Sequence, residues 1–146
     1  TGSVAYQKGI NEISDRAMGY AVTDSGTFDS DQSAYSAVLG DGGIYSNLED
    51  LFKWDQALYT DSLISTKDLP LAFTPHKENY GFGWLIDEYK GHKRIHHTGS
   101  TSGFRNVIQR LPNDKFTIIV LTNRKEPGVA PIAEQIADWY FVDNQI

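Results

Sequence analysis

A chain of 146 residues with 40% hydrophobic and 22% charged residues can bury a core of its own and is too apolar for a disordered tail. Its net charge of −6 excludes a nucleic-acid footprint, since the densest basic stretch, Lys90–Arg94, is interrupted by Gly91 and His92 and reads as a solvated hairpin tip. The lack of cysteine excludes disulfides, a thiolate nucleophile and a Cys-ligated metal, and the longest apolar run, Ile118–Leu121, is strand-sized. Neither this count nor the N-terminus, which has no basic-then-apolar leader pattern, fixes a compartment; an exported protein would carry its signal upstream of Thr1.

Residues 1–78 read as a loop-rich segment with short helices. Asp24–Thr27 and Asp29–Ser33 are runs of small polar side chains that compete with regular backbone bonding, so both are expected as exposed loop. After the tight turn Gly40–Gly43, Ser46-Asn47-Leu48-Glu49 has capping-box spacing, with Ser46 accepting the Glu49 amide. A helix should follow from Asn47 to about Tyr59, turning Leu48, Leu51, Phe52 and Leu58 inward. Thr66 should cap a second, short helix over Lys67–Phe73, ended by Thr74-Pro75.

Residues 79–146 change period. Phe82–Tyr89, Lys93–Thr98, Phe104–Leu111 and Phe116–Thr122 read as strands joined by short links, including a loop over Gly99–Gly103, and short links imply an antiparallel meander. Phe116–Leu121 is apolar on both faces and is expected centrally in a sheet covered on both sides. Pro131 suits the first turn of a helix whose Ile132, Ile136 and Trp139 would cover that sheet. The fold class is therefore α+β: an antiparallel meander covered by a C-terminal helix and preceded by a segment of short helices and loops.

The chemistry-bearing stretch is His96-His97-Thr98-Gly99-Ser100-Thr101-Ser102-Gly103-Phe104. Gly99 lets a ligand approach the strand backbone closely, and exposed N–H groups beside it can stabilise a developing oxyanion. His92 and His96 share one strand face and His97 the other, and two histidines without a third ligand make a poor zinc site. Glu49/Asp50 and Asp87/Glu88 read as caps and solvated strand charges, not a glycosidase dyad. Lys93, Arg94 and Arg105 could recognise a carboxylate, but surface charge is the simpler reading. No cofactor or metal is expected.

His97-Thr98-Gly99 resembles the third motif of the serine β-lactamase and class C penicillin-binding-protein family, and Gly103-Phe104 matches its continuation. Four further stretches resemble the same family in the same order. They are Ala17–Tyr20, Gly42–Leu51, Tyr80–Trp84 and the core strand Ile118–Arg124 with its Thr122-Asn123. The resemblance implies a partial β-lactamase/transpeptidase-like fold and a serine acyl-enzyme hydrolase acting on a β-lactam, a D-amino-acid peptide or a small ester or amide. It also implies that His97 tunes proton traffic, Thr98 contacts substrate, Gly99 admits it and the Ser100 amide is an oxyanion donor.

The chain departs from that pattern in having no Ser-x-x-Lys. Thr74–Lys77 and Thr122–Lys125 have Thr-x-x-Lys spacing by chance. Tyr45-Ser46-Asn47 spells Tyr-x-Asn where the family starts a helix, so Tyr45 is expected to pack and Ser46 to cap. The resemblance thus implies that the first two motifs lie N-terminal to Thr1, that this chain is a C-terminal portion inactive alone, and that its partners are the rest of its own domain and an acyl substrate. An open sheet edge should also recruit a second copy. The arginine that grips a peptide carboxylate in some carboxypeptidase-like members is replaced by Trp84-Leu85-Ile86, which favours an esterase or other peptidase. The alternative is a non-catalytic binding or sensor domain that keeps the fold without the nucleophile.

Overall fold

Short polar turns build ribbons in the first third of the chain, and longer alternating strands build one sheet in the second half. The computed structural model describes residues 2–5, 13–33, 35, 36, 38 and 40–143. Its elements run β1 (Val4–Ala5), β2 (Tyr20–Thr23), β3 (Gly26–Asp29), β4 (Ile44–Tyr45), α1 (Leu48–Ala57) and α2 (Leu69–Ala72). They continue with β5 (Leu85–Tyr89), β6 (His92–Thr101), β7 (Phe104–Leu111), β8 (Phe116–Thr122) and α3 (Ala130–Asp143).

β1 pairs with β4 and β2 with β3, both antiparallel. Asp24-Ser25 is thus the turn of a hairpin, and Gly26, Thr27 and Asp29, expected as loop, lie with Phe28 in its return strand. Arg16 anchors the ribbon through two hydrogen bonds to the Asp31 carboxylate at 3.0 and 2.6 Å, and Asp31 also accepts the Gly19 amide at 3.1 Å. Those are long-range contacts that local composition does not encode.

The helix expected after Ser46 is present, but its cap is one residue later. Asn47 is extended and its side-chain oxygen accepts the Asp50 amide at 2.9 Å. Ser46 instead bonds the Ser3 hydroxyl, and Asp50 accepts the Gly2 and Ser3 amides, tying the N-terminal ribbon to the helix start. The rotation of α1 also differs: Leu58 is buried as expected, but Leu48 and Phe52 are more than half exposed while Asp55 is fully buried. Asp55 accepts from Arg110 Nε and from Thr117 Oγ1 on the sheet. A guanidinium 1% exposed on β7 requires its carboxylate, and satisfying that pair turns α1. α2 is shorter than expected and begins after Asp68; Thr66 does not cap it, and its amide donates to Asp61.

The meander has the order β5-β6-β7-β8, antiparallel throughout. β5 begins at Leu85, three residues later than the pattern suggests, and β6 runs to Thr101, so Gly99–Thr101 is strand and only Ser102-Gly103 turns. β8 lies at the edge of the described sheet, not at its centre. The two faces of the sheet are nevertheless both covered: α3 packs on one, with Val107, Ile118, Val129, Ala133 and Ala137 buried between them. On the other, α1 and α2 enclose Leu58, Trp84, Ile86 and Ile95, with Trp54 stacked on Trp84 at 5.7 Å. Each fully buried aliphatic side chain contributes about 1.5–3 kcal/mol.

α3 covers the sheet with small residues. Ala133 and Ala137 bring it close, and Ile136 joins them, whereas Trp139 is 60% exposed and Ile132 38%. Of the expected stripe Ile132–Ile136–Trp139 only Ile136 packs on the sheet, and the buried contact is made by Val129, Ala133 and Ala137, whose small size lets the helix approach β7 and β8 closely.

Candidate active site

Strand parity decides what β6 offers. In the two hairpins flanking it, the two-residue turns Lys90-Gly91 and Ser102-Gly103 make Tyr89↔His92 and Thr101↔Phe104 the closing pairs. Hydrogen bonding alternates from those pairs, so His97, Gly99 and Thr101 bond β7 while the main-chain groups of Thr98 and Ser100 point the other way. On that other side β5 stops at Leu85↔His96. No strand among the described residues pairs with β6 beyond that point, and the Thr98 and Ser100 amides face an open edge.

The side chains divide between the sheet faces. His97 lies on the α1 face, with its neighbours His96 and Thr98 on the α3 face. His97 Nε2 is 2.7 Å from the Tyr80 hydroxyl, and Nδ1 is 2.8 Å from the Thr98 carbonyl. The rings of Tyr80 and His97 meet edge-on at 5.8 Å. Of the four residues singled out from sequence, the structure brings His97 and the main chain of Thr98 and Ser100 together at one edge. The Thr98 and Ser100 side chains turn to the opposite face and are exposed. Gly99 pairs with Asn106, whose side chain covers its α1 face.

Tyr80, given no chemical role from sequence, is the residue that reading missed. It is placed by a tight turn in which Glu78 and Asn79 both have positive φ and Tyr80 bridges back to Lys77. The next residue must be glycine, because a Cβ at Gly81 would lie 2.3 Å from the Ala72 carbonyl oxygen. The aromatic opening the Tyr-Gly-x-Gly-Trp stretch was the available signal.

The motifs scattered along the sequence converge on the same end of the sheet. Gly103 donates to the Ser30 carbonyl at 2.6 Å, and a Cβ on it would lie 2.3 Å from the Tyr20 nitrogen. Asn123 donates to the Met18 carbonyl at 2.8 Å, and Tyr20 donates to the Asn123 carbonyl at 2.9 Å. Gly42 abuts the Thr101 side chain. Residues from the Ala17–Tyr20, Gly42, Tyr80, His97–Phe104 and Thr122-Asn123 stretches therefore form one contiguous end.

This convergence has a counterpart in known proteins: the protein-family model described as Beta-lactamase matches residues 5–140. The chain belongs to the Beta-lactamase family. It is 36% identical over 96 residues to a curated penicillin-binding protein of Bacillus subtilis (strain 168), an alignment covering 61% of this chain and 21% of that protein. The fold matches the octameric penicillin-binding protein homologue of Pyrococcus abyssi with a TM-score of 0.81 at 24% identity, covering 96% of this chain and 34% of that one. A penicillin-binding protein of Bacillus halodurans matches with a TM-score of 0.72 at 20% identity, covering 95% and 44%. The aligned part of the chain thus amounts to about a fifth of the curated relative's length.

The α3 face beneath the site is electrostatically occupied. Arg94 grips Asp87 through two hydrogen bonds at 2.7 and 2.6 Å and reaches Glu134 on α3 at 3.1 Å. The Arg94 hydrogen bonds hold the Asp87 carboxyl below the usual carboxylate range, against the opposing effect of its burial. Asp87 and Arg94 are therefore not the solvated charges expected from sequence. Burial, then the Arg94 charge, pushes the His96 imidazole below its ordinary value despite Asp87 at 3.5 Å. No cluster of metal-ligating side chains is found among the described residues. A cleft of about 390 Å³ between α1, α2 and the Lys93 end of β6 contains none of His97, Thr98, Gly99 and Ser100.

Proposed function

We propose that this chain supplies one wall of the active site of a serine acyl-enzyme hydrolase, with the nucleophile outside residues 1–146. The substrate is a β-lactam, a D-amino-acid peptide or a small ester or amide. The observation that carries this reading is the open edge of β6 beside the Tyr80–His97 pair, in a chain of the Beta-lactamase family. The Ser100 amide on that edge is suited to an oxyanion, the Thr98 main chain to the substrate backbone and His97 to proton traffic. The Thr98 side chain, on the opposite face, is not needed for that arrangement.

The test is labelling of the complete protein with a fluorescent β-lactam and a fluorophosphonate, with the acylated residue mapped by peptide mass spectrometry. A serine outside residues 1–146 supports the reading, and a nucleophile inside this chain, or no covalent adduct with either probe, overturns it. The chain alone should not hydrolyse nitrocefin, p-nitrophenyl acetate or D-alanyl peptides above background, because oxyanion donors without an attacking serine supply only part of the machinery.

A further inference from the structure

Both ring nitrogens of His97 are engaged, which restricts how it can act. A carbonyl oxygen can only accept, so the 2.8 Å contact between Nδ1 and the Thr98 carbonyl places a proton on Nδ1. The neutral ring then has its lone pair on Nε2, and the Tyr80 hydroxyl 2.7 Å away donates to it. With Nδ1 facing the strand and Nε2 facing the phenol, no nitrogen of His97 remains for direct contact with substrate. Tyr80 is 39% exposed and is the outer member of the pair.

We infer that, given the hydrolase reading above, His97 exchanges protons with substrate only through the Tyr80 hydroxyl, which makes Tyr80 a relay residue at the open edge. In one direction the phenol passes its proton to Nε2 while its oxygen takes a proton from the substrate-side group. The phenol is regenerated, and the imidazole becomes an imidazolium whose Nδ1 proton stays hydrogen-bonded to the Thr98 carbonyl. The reverse step returns the proton to a leaving group. One proton moves each way, and no other reactant is required. The His96 and Thr98 side chains face away and take no part.

Two measurements test this. Long-range proton–nitrogen NMR correlation on the ¹⁵N-labelled chain, at a pH where the imidazole is neutral, should show His97 protonated at Nδ1, and protonation at Nε2 overturns the arrangement whatever the activity. In the complete protein, Tyr80→Phe keeps the ring packed on His97 and removes only the hydroxyl. It should lower kcat about 10²-fold on nitrocefin or p-nitrophenyl acetate, with KM changed by less than about twofold. Adding His97→Ala to that variant should cost less than about threefold more, since the two act as one unit. Turnover undiminished in Tyr80→Phe, or multiplicative losses in the double variant, removes the relay and leaves the hydrolase reading intact. A complete protein without turnover removes both.

Discussion

The buried Asp55–Arg110 pair offers the sharpest test of how this fold is held. The Asp55 side chain is fully buried and the Arg110 side chain 1% exposed, with the Tyr59 and Phe73 rings 4.8 and 5.4 Å from the guanidinium. Asp55→Ala removes the acceptor for Arg110 Nε and Thr117 Oγ1 and leaves a cation where water cannot reach it. Breaking one side of such a pair costs about 3–5 kcal/mol, a large share of the roughly 5–15 kcal/mol that holds a domain together. With a urea dependence of about 2 kcal/mol per molar, the unfolding midpoint should fall by about 2 M. Asp55→Leu combined with Arg110→Met replaces both charges by apolar groups and should recover most of that loss. Urea melts followed by tryptophan fluorescence read the result, since Trp84 and Trp54 stack beside the pair's helix. A loss under about 1 kcal/mol for Asp55→Ala, or a double variant no better than the single one, would refute the argument that this pair sets the rotation of α1.

In the complete protein, His97→Ala should lower kcat/KM about 10²-fold and His96→Ala far less, because strand alternation sends His96 to the α3 face; equal effects in steady-state kinetics would contradict that assignment. The lowered His96 value makes stability pH-dependent in a defined direction. The unfolded chain takes up the proton first as pH falls, so stability is full above about 6.5 and declines below it towards the folded midpoint. His96→Gln should flatten that decline in denaturant melts between neutral and mildly acidic pH, and an unchanged slope would remove His96 as its cause. The exposed Leu48, Phe52 and Trp139, with the edges of β6 and β8 that no strand among the described residues covers, should make the isolated chain a dimer, a larger oligomer or poorly soluble; light scattering from a clean monomer at 16.3 kDa would contradict this.

Much of the second half was legible because its elements obey local rules. Alternating β-branched and aromatic residues separated by two- to four-residue polar links fix antiparallel strands, and β7 and β8 were read with their observed bounds. The opposite facing of His96 and His97 followed from strand period alone. The hairpin β2–β3 was not legible, because its strands are only four residues long, run into stretches of small polar residues and are seated by Arg16 and Asp31 from outside. The position of β8 at the edge, the rotation of α1 and the inward face of α3 were likewise set elsewhere: by pairing order, by Arg110 on β7 and by the closeness of the helix to the sheet.

The candidate site divides the same way. The sequence by itself determined an α+β meander ending in a C-terminal helix, a strand ending in His97-Thr98, and the resemblance that the family match bears out. Only the tertiary structure decided that β5 ends early enough to leave the Thr98 and Ser100 amides unpaired by any strand among the described residues, and that Tyr80, seventeen residues upstream, closes on His97. The physical reason is that side-chain period is a local property of one strand. Which edge stays open, and which hydroxyl meets which imidazole, depends on where other segments stop and turn.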